Sequence, residues 1–143
     1  MRAVLAIILG IVVGLALQSA ADVITSLIYP SSITNMWDRA QVAEALATRP
    51  AAALWIGVVG YFLGGLGGGL VGKLIWRRAA AAWVPAGVLA LMALILAFGY
   101  PIPTWTMFAT FIAPLIGGLI ANHLVKTAPA AELVEGGDLV NNG

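Results

Sequence analysis

The chain has 143 residues, 62% hydrophobic and 9% charged, with a formal net charge of +1 and a mean hydropathy of +1.01. Soluble domains carry about 45–50% apolar and about 25% charged residues, so water is a poor solvent for this composition and a bilayer a good one. The near-neutral charge gives no footing for nucleic acid, and the absence of cysteine removes disulfides, iron–sulfur ligation and thiolate zinc sites, so no cofactor is expected.

Four apolar stretches are long enough to cross about 30 Å of hydrocarbon, and helices are the default because each satisfies its own backbone polar groups. The first runs from Ala3 to Leu27. Arg2, the apolar run to Leu17 and Ser19-Ala20-Ala21 imitate a secretory signal, but apolar residues continue past Asp22 to Ile28, so a retained span is expected. Gly10, Gly14, Gln18 and Asp22 recur every four residues. The glycines suit a neighbouring helix, and Gln18 is expected to give a cross-helix hydrogen bond. Asp22 lies about 28 Å along the helix from Ala3. It is either solvated or paired with Arg49 or Arg39, or else it serves a ligand or ion.

Tyr29-Pro30-Ser31-Ser32 ends this helix. Asn35 with Asp38 three residues on reads as a capping box for a short amphipathic helix over Met36–Ala47, which would rest Trp37, Ala40, Val42 and Ala43 on the membrane surface.

The second span, Ala51 to Ile75, carries Gly60, Gly64, Gly68 and Gly72 at intervals of four, widened by Gly57, Gly65 and Gly69. Such a stripe lets another helix approach backbone to backbone. It can serve packing inside the chain's own bundle, an interface with another chain, or a glycine-lined pathway. Gly67 to Lys73 formally matches the start of a phosphate-binding loop, but Leu74 stands where a Ser or Thr should bind magnesium. Lys73 is instead expected to snorkel to the interface.

The third span runs from Ala79 to Phe98, and Gly99 to Pro103 forms a tight turn. Lys73, Arg77 and Arg78 join Arg2 and Lys126 on one basic side, against Arg39 and Arg49 on the other. Both termini are therefore expected in the cytoplasm, with Trp76 and Trp83 at the inner interface and Trp37, Trp55 and Trp105 at the outer.

In the fourth span, Thr104 to Val125, Pro114 interrupts the ladder beside Thr110, expected to satisfy the freed carbonyl, and Gly117, Gly118 and Ala121 form a small-residue flank. Asn122, His123 and Lys126 fall at the inner edge, where His123 is an anchor or a proton relay. The last residues, 127–143, hold Glu132, Glu135 and Asp138 and read as a mobile acidic tail, whose Leu133-Val134 and Leu139-Val140 suit a cytoplasmic partner.

The expected fold is thus all-α: an integral membrane four-helix bundle over residues 1–126 plus the tail. No Asp, Glu, Lys, Arg or His falls near the middle of a span, where only Tyr61, Thr106 and Thr110 offer polar atoms. Nor is there a catalytic set, so a non-enzymatic protein is expected.

Asp22 followed by Tyr29-Pro30, an outer loop, a glycine-rich second helix ending in basic residues, and Tyr100-Pro101-Ile102-Pro103-Thr104-Trp105 ahead of a helix with Pro114 form an ordered pattern. It resembles a group of small, uncharacterised four-span bacterial inner-membrane proteins, over most of Ala3–Lys126. In that group a Gly-His pair often precedes Tyr-Pro; here Thr25 and Ser26 stand there, so no role resting on that histidine carries over. The resemblance implies a fold and location, the bacterial inner membrane, and no activity. Small multidrug exporters would need a carboxylate deep in the first helix. Fluoride channels would place the glycine-and-basic run near the first helix.

Two functions follow as expectations. One is a scaffold or accessory subunit, acting by glycine-mediated packing as a homo-oligomer or within a larger membrane complex. The other is an oligomeric channel or carrier for a small neutral or weakly polar solute.

Overall fold

The computed structural model describes residues 1–30, 33, 35, 38–100 and 102–127. The readings that concern Trp37 and the tail beyond Thr127 lie outside them. Among the described residues there are five helices and no strand: α1 (Arg2–Ile28), α2 (Arg39–Ala47), α3 (Ala51–Ile75), α4 (Ala79–Gly99) and α5 (Thr104–Leu124). All but α2 are long and apolar enough to cross a membrane, and their bounds fall within one or two residues of the hydropathy limits. Pro50 and Pro103 stand immediately before α3 and α5, where a missing N–H costs no helical bond.

Facing residues fix how the helices run. A Cβ on Gly10 or Gly14 would come 2.8 or 3.0 Å from the carbonyl oxygen of Gly68 or Gly64, so α1 and α3 are antiparallel. The atom nearest a Cβ on Gly72 would be the carbonyl oxygen of Ala81, and one on Gly118 would meet the Ala86 Cβ at 2.6 Å, so α4 is antiparallel to both α3 and α5. One end of the bundle therefore carries α2 and the turn before α5. The other, the terminal end, carries Met1, the α3–α4 link and the end of α5.

Helix α3 is the centre. One glycine flank takes α1 and the start of α4; the other takes α5, with Gly65 on the backbone of Pro114 and Gly69 on Ala121. The interior is built of small side chains, with Ala6, Ala81, Ala82, Ala86 and Ala121 wholly buried. Leucine, isoleucine and valine face outward instead, for example Val4, Leu5, Ile8 and Val12 on α1. That inversion of a soluble core is physical: in lipid no hydrophobic force drives helices together, so close backbone contact has to.

The prolines fit the same scheme. Pro85 removes the bond that the Ala81 carbonyl would have received within α4, and that oxygen occupies the space left by the missing side chain of Gly72. Pro114 has the corresponding effect on the carbonyl of Thr110. The Thr110 hydroxyl does not repair it, contrary to the sequence reading: it donates to the Thr106 carbonyl at 2.8 Å, one turn earlier.

Two further expectations need correction. Helix α2 starts at Arg39, and its cap is Asp38, whose carboxylate accepts from the N–H of Ala40 at 3.0 Å and of Gln41 at 3.3 Å. Asn35 is not the cap; its N–H donates to the Gln41 side chain at 3.0 Å, tying the incoming loop to the first turn. Val42 does not rest on a membrane surface either. It is buried and lines a recess with Ile33, Leu46, Leu96, Tyr100 and Ile102.

Trp55 and Trp105 lie close, ring centroids 5.3 Å apart, in the α2-end turns of α3 and α5. Trp76 and Trp83 belong to the terminal end.

Candidate functional site

At the α2 end the helices part to leave a cavity of about 220 Å³. Its polar wall comes from Gln18, Asp22 and Thr25 on α1, Arg49 in the link after α2, Tyr61 on α3, and Thr106 and Thr110 on α5, while α4 adds only Ala93 and Leu96. Gly57 lines it as well. A Cβ there would meet nothing within 4 Å, so this member of the α3 stripe faces open space rather than a helix.

Gln18 is the group on which the site turns. It is buried, 8% exposed, and its Nε2 donates to Asp22 Oδ1 at 3.2 Å within its own helix, not across helices as the sequence suggested. The (i, i+4) spacing stacks the two side chains on one face. Because the carboxylate takes the amide nitrogen, the amide oxygen must point the other way. There Gly60 makes room: a Cβ on Gly60 would stand 2.9 Å from Gln18 Oε1 and 2.5 Å from the Ala21 Cβ.

Gln18 Oε1 and Thr106 Oγ1 are buried without a hydrogen-bond partner. Leaving such an atom unpaired costs about 1–3 kcal/mol, and native structures rarely tolerate it without reason. Thr106 is 5% exposed and belongs to the cavity wall. Thr25 differs: its hydroxyl donates to the Ala21 carbonyl at 2.8 Å. Asp22, on the exposed rim, supplies the cavity's carboxylate and Arg49 its guanidinium. Arg49 also lines a crevice of about 300 Å³ between Tyr29-Pro30 and Thr48-Pro50.

Of the sequence candidates, Gln18, Asp22, Gly57, Tyr61 and Thr110 come together here, while Gly10, Gly14, Gly60, Gly64, Gly68 and Gly72 are covered by neighbouring helices. His123 does not join the site; it is exposed in the last turn of α5, at the terminal end. Arg49 was read as a possible partner of Asp22 and, with Arg39, as a marker of orientation, not as a cavity residue.

The terminal end is closed by a contact that sequence reasoning missed. Lys73 is 1% exposed and does not snorkel. Its Nζ donates to the side-chain oxygen of Asn122 at 2.7 Å and also to the Asn122 backbone carbonyl. The last carbonyls of a helix lack intrahelical partners and carry the negative end of its dipole, so an ammonium at the end of α5 is well placed. Among the described residues no group of three or more His, Cys, Asp or Glu comes together. Comparison with protein-family models, curated proteins and solved structures finds no match to this chain.

Proposed function

We propose that this chain is a non-enzymatic, multi-pass protein of the bacterial inner membrane, termini in the cytoplasm, that takes a small hydrogen-bonding solute into the α2-end cavity. Acting as an oligomer, it serves as a channel or carrier for that solute. The observation that carries the reading is one cavity between apolar helices whose wall gathers Gln18, Asp22, Arg49, Tyr61, Thr106 and Thr110. A bundle selected only for packing gains nothing from them, since taking polar groups out of water is unfavourable. A site that exchanges a solute needs groups free to accept it.

The scaffold or accessory-subunit reading retains less support. Its evidence was the glycine stripe, and Gly60, Gly64, Gly68 and Gly72 are already covered by α1 and α4 of the same chain. Assembly with further copies or another subunit then uses other faces.

The test is flux in liposomes carrying the full chain, with small polyols and amino acids as probes. Uptake above protein-free vesicles is expected, lost in Gly57→Phe, which fills the cavity from an open position, and kept in Val59→Phe, on the outward face of α3. Equal uptake by the two variants, or none by the unaltered chain, overturns the reading.

A further inference from the structure

The cavity's polar atoms are not interchangeable, and their order defines a ligand. On α1 the Asp22 carboxylate lines the cavity, acceptor-only when ionised, with one oxygen accepting from Gln18 Nε2. This side asks for a donor with several hydrogens. Arg49 lines the same cavity and offers the opposite: a guanidinium with no acceptor capacity, shaped for a carboxylate. One fixed negative and one fixed positive charge leave the cavity without net preference for an ion of either sign. They favour a molecule carrying both.

Resting on the solute-binding reading above, we propose that the site takes a small zwitterion of the amino-acid class. Its ammonium lies against Asp22, and its carboxylate against Arg49. Size permits it: about 220 Å³ holds glycine or β-alanine with space to spare. Ala53, Ala93 and Leu96 form the apolar part of its wall. Charge-assisted hydrogen bonds at both ends of the ligand supply the selectivity, since a molecule with one charge leaves the other protein charge unpaired.

The experiment is calorimetric titration of the full chain in nanodiscs with glycine, β-alanine, methylammonium, acetate and glycerol. A zwitterion is expected to bind at least tenfold more tightly than methylammonium, acetate or glycerol. Asp22→Asn and Arg49→Gln should each erase that preference. The order of affinities on the unaltered chain is decisive even if a variant fails to fold. If methylammonium, acetate or glycerol binds as well as the zwitterions, and Gly57→Phe abolishes that binding, the zwitterion assignment is wrong and the solute cavity stands. If no probe binds, both fall.

Discussion

Gly14 and Gly64 face each other across the α1–α3 contact so closely that a methyl group on either would stand within 3.0 Å of the other's carbonyl oxygen. Both partners are backbone, so neither can yield by changing rotamer. Gly64→Ala is therefore expected to destabilise the bundle by about 1–3 kcal/mol, the usual range for overpacking. Gly57→Ala, in the same stripe but facing open space, is expected to be neutral or to gain up to about 1 kcal/mol from helix propensity. Unfolding by denaturing detergent in mixed micelles measures both. Equal effects would show that the stripe does not pack inside the chain.

Lys73 and Asn122 provide the second prediction. Lys73→Met keeps the volume and removes the ammonium; Asn122→Ala removes the side-chain acceptor and leaves the backbone one. Hydrogen bonds to charged groups contribute about 1.5–3 kcal/mol. A double-mutant cycle on unfolding should return a coupling in that range, and additive effects would mean that the contact contributes no stability.

How much of this was legible in the sequence depends on the range of the interaction. The spans were visible because hydropathy and length act locally, and the α3 stripe because its spacing is a property of one helix. The Lys73 contact was not, because its partner lies 49 residues away on α5. Read alone, a lysine near a helix end snorkels. Gln18 failed for a subtler reason: both i+4 and cross-helix partners were available to it, and the space beside Gly60 sets where its oxygen points. The start of α2 was misplaced by three residues because Asn35 and Asp38 were read as a capping box, whereas Asp38 itself is the cap.

Gln18→Leu separates folding from binding. It removes a buried acceptor without a partner and substitutes an apolar group of similar size, so stability should hold or rise by about 1 kcal/mol. Binding of the solute should weaken, because Gln18 Nε2 no longer orients the Asp22 carboxylate. Thermal unfolding and titration on the same sample check both, and a parallel loss of stability and binding would make Gln18 merely structural.

Asp38→Ala should cost α2 about 1 kcal/mol, the usual loss for an N-cap carboxylate. The effect is local, because Asp38 is exposed and bonds only the first turn. Hydrogen exchange should speed up at the amides of Ala40 and Gln41, with those of α3 unchanged.

The most direct test of the central claim, an apolar bundle in lipid with a polar cavity at its α2 end, uses the lack of native cysteine. Single variants Gly57→Cys and Asp22→Cys place a thiol in the cavity; Val59→Cys and Ile112→Cys place one on outward faces. In intact nanodiscs a charged, water-borne thiol reagent should label the first pair and spare the second. Equal labelling of all four would contradict the account, as would labelling of Val59→Cys and Ile112→Cys alone.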